Sequence, residues 1–314
     1  MPVENRTASV TSRLLPFLLS VPLLGLAACA EKPAGDAAPA ADAAPAADAA
    51  VFRFSAIPDQ NSTETREKLQ PLVDHLQEAM GVTFEYVPAR DYQAAVEMFK
   101  NSDVQLAWFG GLTGVQARLA VEGARAIAQG ESDPNFYSYI IAHKDTGLEQ
   151  SEAFPTAIGE MTFTFGSESS TSGRLMPEHF IRQETGKSPG EFFTQTVGFS
   201  GSHDKTVELV ESGQFQVGAV NYTVYDKRVA AGTSDPDVVK AIWRTPPYAD
   251  YNWTIRPDVD AQFGDGFTDK LQATMLAIDD PALLAALPRN RLIAATNEDF
   301  EGIRQVAADL GMVR

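Results

Sequence analysis

The sequence predicts an α/β chain of two doubly wound lobes with a ligand cleft between them. Three observations predict it. From residue 51 onward, short runs rich in aromatic and β-branched residues alternate with stretches of helical periodicity, the pattern of βαβ units and a mainly parallel sheet. The strands counted this way are too many for one comfortable sheet. The length and balanced composition from Val51 to Arg314 suit one large or two smaller α/β units.

The elements follow in order. Residues 51–57 alternate Phe52, Phe54 and Ala56 with polar neighbours and read as a strand. Asn61 followed by Glu64 has the form of a capping box opening a helix to about Met80, and Gly81 ends it. A strand over 82–87, a helix over 91–100 and a strand over 104–109 come next, and Gly110-Gly111 starts another helix. Strands are expected over 137–143, 161–165, 195–199 and 217–220, with helices over 175–184, 205–212 and 221–230. Strands near 239–244 and 251–255, then helices around 267–277 and 300–309, complete the chain. The chain is expected to change lobes near His143 and near Asp250. That gives a first lobe of about 51–142 and 250–314 and a second of about 143–249.

The first 28 residues are not part of this fold. Arg6 and Arg13 precede LLPFLLSVPLLG (14–25), an apolar run too short to span a bilayer and suited to a signal peptide. It closes on Leu26-Ala27-Ala28-Cys29, which resembles a bacterial lipobox. That resemblance implies that Cys29 becomes a lipid-bearing N-terminus. Ala30 stands where an aspartate commonly signals inner-membrane retention, so the anchor leans to the outer membrane. Cys29 is the only cysteine, so the domain has neither disulfides nor thiolate metal ligands. Residues 31–50 lack aromatic and β-branched side chains and read as a disordered tether.

The formal charge of −17 argues against nucleic acid and anionic membrane surfaces as partners. It also means that an anionic ligand would have to be held by local dipoles. FTFGSESSTSGRLMPEHF (163–180) offers them. Gly166 to Gly173 lies between a strand and a helix, where unpaired N–H groups and the positive end of the helix dipole converge. Ser170, Thr171 and Ser172 add donors without adding charge, and Gly173 allows close backbone approach. The spacing is not that of a P-loop, and Arg174 replaces its Lys-Ser/Thr pair. On spacing alone, a well-capped surface loop remains the alternative.

Ser170 or Ser172 with His203 and Asp204 supplies the residue types of a hydrolytic triad. Yet there is no G-x-S-x-G elbow, and an acid adjacent in sequence to the histidine is poorly placed to orient it. The chain has no HExxH, no Cys/His cluster and no dinucleotide fingerprint, so no metal, no cofactor and no enzymatic activity are expected.

GSESSTSG followed by FSGSHD (199–204) resembles the periplasmic phosphonate/phosphite-binding proteins of ABC importers. SAIPDQN, WFGG, FTFGSESSTSG, FSGSHD, GAVN and TPPYADYNWTIR together resemble the branch named for selenate transport. The likeness runs from about Phe52 to the C-terminus. It implies a monomeric type II periplasmic binding protein that captures a small tetrahedral oxyanion and delivers it to an ABC permease. The oxyanion would be selenate- or sulfate-like, or phosphite or a phosphonate. Some relatives of this fold present an oxyanion to a membrane histidine kinase, which leaves a sensor as the alternative. Carried over by motif, Ser170, Thr171 and Ser172 would form the cradle and His203 would donate to a ligand oxygen. Tyr92 and Tyr137 would reach across from the first lobe. Asn221 and Asp250 fall where many phosphonate binders place acidic residues. An amide at Asn221 can donate, which favours a fully deprotonated dianion, whereas Asp250 pulls the other way. Taken singly, each has a plainer reading: His203 or Asp204 as a helix cap, the tyrosines as wall, Asp250 as a solvated loop residue, and Trp108, Phe109 and Trp253 as core.

Overall fold

In the computed structural model the described residues are 50–313 apart from 61 and 288. Cys29, the tether and the capping-box residue Asn61 lie outside them. The chain begins with β1 (Val51–Ala56), α1 (Ser62–Met80), β2 (Thr83–Tyr86), α2 (Tyr92–Lys100), β3 (Leu106–Phe109), α3 (Gly111–Ala120) and β4 (Arg125–Gly130). The middle part holds β5 (Ser138–His143), β6 (Phe163–Phe165), α4 (Met176–Thr185), α5 (Pro189–Phe192), β7 (Gly198–Phe199), α6 (His203–Glu211), β8 (Val217–Asn221), α7 (Tyr222–Ala230) and β9 (Val239–Arg244). The chain returns through β10 (Asn252–Ile255), α8 (Val259–Phe263), α9 (Phe267–Leu276), β11 (Leu292–Ala294) and α10 (Glu301–Asp309).

Two sheets result, ordered β11-β4-β10-β3-β1-β2 and β7-β6-β8-β5-β9. Both are mixed rather than mainly parallel. β1 runs parallel to β2 and β3, and β6 runs parallel to β7 and β8. The first strand after each crossing, β5 in one sheet and β10 in the other, is antiparallel to both its neighbours. The reason is geometric. Parallel strands bring their carboxyl ends to the cleft, so a strand arriving across the cleft starts at that edge and must run away from it. Ser138, the first residue of β5, accordingly lies opposite Asn221, the last of β8, and Asn252 lies opposite Phe109.

This corrects the expected lobe boundary. β5 pairs wholly within the second sheet, so the first change of lobe precedes Ser138 instead of falling at His143. The second lies between Arg244 and Asn252, on either side of Asp250. β4 and β11 went unread in the sequence, and α6 starts two residues earlier than its pattern suggested.

The core follows the patterns. α2 is capped by Asp91, whose side chain accepts from the Ala94 N–H at 2.7 Å, and it buries Tyr92, Ala95, Val96 and Phe99 along one stripe. Phe52 packs at a tilt against Phe84 at 4.7 Å and stacks on Phe267 at 5.5 Å, and Trp108 meets Trp253 at 5.4 Å. A smaller cluster around Ile141, Val207, Val220 and Val239 supports the other face of the second sheet. Among the described residues no helix is long and apolar enough to cross a membrane.

Candidate functional site

The cleft edge is where the strands end and helices begin. The loop after β6 enters a single π-turn, Thr171–Leu175, before continuing as α4. The N–H of Leu175 bonds back to the carbonyl of Ser170 at 3.0 Å, which widens the first turn. Ser170 caps it, its Oγ accepting from the Gly173 N–H at 2.9 Å. The turn is folded tightly against the end of β6, with the Gly166 N–H donating to the Gly173 carbonyl at 2.9 Å. Both glycines are required by this approach. A Cβ on Gly173 would stand 3.0 Å from Ser170 Oγ and 3.1 Å from His203 Cε1. Ser170, Thr171 and Ser172 are all buried. Below them Ser138 donates to the Ser172 carbonyl at 2.7 Å, and its oxygen in turn accepts from the Tyr248 hydroxyl at 2.5 Å.

His203 opens α6, capped not by itself or Asp204 but by Ser202, whose Oγ accepts from Lys205 N. The Asn221 backbone N–H donates to His203 Nδ1 at 3.3 Å. Nδ1 is thus the acceptor, and Nε2 carries the proton, facing Ser172 Oγ at 3.4 Å. Burial pushes His203 down to about 3, so the ring is a neutral donor at any physiological pH.

The first lobe contributes its own helix entrance. The N–H of Gly111 donates to Asp250 Oδ1 at 2.8 Å, and that of Leu112 to Thr171 Oγ1 at 3.0 Å. Thr171 therefore joins the two lobes. The second oxygen of Asp250 is buried with no hydrogen-bond partner, as is the hydroxyl of Tyr92. Burial raises the Asp250 carboxyl to about 7, against the Gly111 and Thr171 donors that favour its charged form. Desolvation likewise holds the Tyr92 phenol well above its usual range.

A second carboxylate, Asp59, faces the same space. Its backbone carbonyl accepts from the His203 N–H at 3.1 Å, and its Oδ2 accepts from the Tyr251 hydroxyl at 2.8 Å. Burial brings it to about 6. The Arg289 guanidinium, which is buried against Asp133 at 2.7 Å, acts in the opposite direction by favouring the charged form of Asp59. Among the described residues no group of His, Cys, Asp and Glu could hold a metal ion.

Tyr92, Ser170, Thr171, Ser172, His203 and Asp250 are thus brought together. Asn221 is adjacent but does not point a free donor at the ligand. Its Oδ1 caps α7 by accepting from Val224 N at 2.8 Å, and its amide donates to the Tyr251 hydroxyl at 2.9 Å. Tyr137 is not in the site at all. Alternation of side chains turns Phe136 inward and Tyr137 outward, where it stacks on Tyr222 at 3.9 Å under the Arg244 guanidinium. The triad geometry is absent as well. Asp204 pairs with Arg228 at 3.3 Å instead of orienting His203, whose far nitrogen is held by a backbone N–H. Asp59 and Tyr251 were missed although they lie in SAIPDQN and TPPYADYNWTIR, each within a few residues of a strand end at the cleft. Nothing in the local sequence marks Arg289 and Asp133, which meet across 156 positions.

Comparison with known proteins agrees with this geometry. Residues 54–300 match the family model described as ABC transporter, phosphonate, periplasmic substrate-binding protein. The chain is 35% identical over 271 residues to a probable ABC transporter phosphite-binding protein of Prochlorococcus marinus, covering 84% of this chain and 91% of that one. It is 26% identical to a phosphate-import protein of Mycolicibacterium smegmatis, over 80% of this chain and 83% of that one. Among solved structures, the Prochlorococcus marinus protein in complex with methylphosphonate superposes with a TM-score of 0.79 at 36% identity, over 84% of this chain and 99% of that one. These relatives bind and deliver substrates and are not enzymes. The chain belongs to the phosphonate family of periplasmic substrate-binding proteins that serve ABC transporters.

Proposed function

We propose that this protein captures phosphite or a short phosphonate such as methylphosphonate between its lobes and hands it to an ABC importer. The observation that carries the reading is Asp250 Oδ2, a buried, unpartnered carboxylate oxygen beside the neutral donors of the cradle. Such an oxygen needs exactly one shared proton. A phosphite or phosphonate monoanion brings that proton, and its remaining oxygens can accept from Ser170, Ser172, His203 and Tyr92. Selenate and sulfate bring none and must wait for Asp250 itself to be protonated. Buried Asp250, with the half-buried Asp59 nearby, therefore favours the phosphorus oxyanions over the dianion that Asn221 alone suggested.

The relatives named for phosphite and crystallised with methylphosphonate support the same ligand class. Lipid attachment at Cys29, with the outer membrane as its place, rests on Leu26 to Cys29 and Ala30 and is part of the same proposal. Calorimetric titration of the purified protein with phosphite, methylphosphonate, phosphate, sulfate and selenate at pH 6 and pH 8 tests it. Phosphite and methylphosphonate should bind tightest, and selenate should weaken roughly tenfold per pH unit above about 7. Selenate binding that is tighter than phosphite at pH 8 would refute the reading.

A further inference from the structure

Besides the Thr171 bond, the lobes are joined through Asp59. Asn221 ends β8 in the second sheet, whereas Asp59 follows β1 and Tyr251 precedes β10 in the first. The Asn221 amide donates to the Tyr251 hydroxyl at 2.9 Å, and that hydroxyl donates to Asp59 Oδ2 at 2.8 Å. The direction of each proton is fixed. Asn221 Oδ1 accepts from the Val224 N–H at 2.8 Å as the cap of α7, so its nitrogen faces Tyr251. An amide nitrogen only donates, so the hydroxyl accepts there and gives its one proton to the carboxylate. Asp59 reaches the second lobe by another arm as well, since its backbone carbonyl accepts from the His203 N–H at 3.1 Å. That N–H is one of the orphan donors at the start of α6, where Ser202 Oγ serves another, that of Lys205.

This chain of bonds cannot stretch when the lobes part. The Tyr251 ring stacks on Trp108 at 5.4 Å, meets Phe136 edge-on at 5.3 Å and lies 4.8 Å from the Arg289 guanidinium. Packing therefore holds it on the first-lobe side, while the cap on α7 holds Asn221 in the second. Opening breaks the Asn221–Tyr251 and His203–Asp59 bonds together and hands their groups to water.

We propose that Asn221, Tyr251 and Asp59 are positioning residues that form an interlobe latch, whose hydrogen bonds set how long the cleft stays shut on the oxyanion it accepts. The effect is differential. A latch group that loses its partner is left bare only in the closed form, because water serves it in the open one. Breaking one link therefore penalises the closed form alone, and the ligand leaves sooner. No link requires a particular anion, so the latch goes beyond the ligand reading. Only the release measurement borrows the ligands which that reading names.

The test is stopped-flow tryptophan fluorescence of the full-length protein, with Trp108 against the Tyr251 ring as the reporter. Release of phosphite and of methylphosphonate is followed in the wild type, Asn221→Ser, Tyr251→Phe and the double variant. Serine keeps a cap on α7 but is too short to reach Tyr251, and phenylalanine keeps the ring while removing both side-chain links. Tyr251→Phe should speed release of both ligands about tenfold or more, and Asn221→Ser about threefold. The double variant should stay within about twofold of Tyr251→Phe, because both substitutions break one chain. The ratio of phosphite to methylphosphonate affinity should not move. Variants that fold but release at the wild-type rate overturn the latch, since a merely structural role lowers the melting temperature alone. So do effects that multiply in the double variant, or a shifted ligand ratio, which would put Tyr251 against the ligand. A wild type that binds neither anion refutes the ligand reading, and small-angle scattering of the ligand-free protein then decides the latch. Tyr251→Phe must show a larger radius of gyration than the wild type, and equal radii overturn the proposal.

Discussion

The two helix entrances that face each other across the cleft are built differently. In the first lobe, the start of α3 already holds an anion of the protein's own, since Gly111 N donates to Asp250. In the second, the π-turn from Thr171 is capped by the neutral hydroxyl of Ser170 and surrounded by the neutral donors Ser172 and His203. Both ends carry the same dipole. One has its partial positive charge met by a carboxylate from the chain, and the other keeps it for a ligand. The contrast explains how a chain with a formal charge of −17 can bind an anion: attraction is confined to one helix entrance, and selection is left to the acid across from it.

Removing the neutral entrance should have the largest effect. Thr171→Val with Ser172→Ala keeps the shape but deletes two hydroxyls, each worth about 1.5–3 kcal/mol when bonded to a charged group. Phosphite affinity measured by calorimetry should fall by about a hundredfold or more, with an unchanged circular dichroism spectrum.

The charged entrance should reveal itself through pH. Asp250 has its folded-state pKa raised by burial from 3.8 to about 7, so the folded protein binds this proton more tightly than the unfolded chain. Stability from this group is therefore present at low pH and lost as pH rises from about 4 to about 7, on the order of a few kcal/mol in all. Asp59, raised to about 6, loses stability in the same direction over a narrower window. Thermal melts of the ligand-free protein should show Asp250→Asn reducing the decline between pH 4 and pH 8. A decline as steep as in the wild type would mean that Asp250 is not a buried acid.

Asn221→Asp separates the two entrances less sharply. The cap on α7 survives because a carboxylate can accept from Val224 N, but the donor to Tyr251 is lost. The Tyr251 hydroxyl then has two carboxylates to serve and one proton. A loss of about 1–3 kcal/mol in stability is expected by denaturant unfolding, with phosphite and selenate affinities lowered to the same extent. Unequal losses would put the amide in direct contact with the ligand. The smallest effect belongs to Tyr137→Leu, which lies outside both entrances. Affinity for phosphite should stay within about twofold, and a tenfold loss would place Tyr137 in the cleft.

Much of this site can be read from local sequence because its donors are local. Ser170, Thr171 and Ser172 sit in one loop whose glycines, strand and helix are all contiguous, and the same holds for the Ser202-His203 start of α6. The order of strands and helices is legible for the same reason, since period and punctuation act over a few residues. β4 and β11 were harder to read. Arg125–Gly130 carries alanine, arginine and glutamine, and Leu292–Ala294 is three residues long; only their neighbours in the sheet make them strands.

By itself the sequence determined that the chain is an α/β binding protein and that a hydroxyl-rich helix entrance stands at its cleft. The α/β order and the hydroxyl-rich helix entrance came from side-chain period, glycine placement and capping chemistry, which depend on adjacent residues, whereas the binding role came from the resemblance of its motifs to a known family. Only the tertiary structure decided what those groups face. It turned Phe136 inward and Tyr137 out, and it spent Asn221 on α7 and Tyr251. It left Asp250 Oδ2 without a partner and brought Arg289 to Asp133. Protonation, pairing and direction are set by burial and by groups distant in the chain, and no local pattern encodes them.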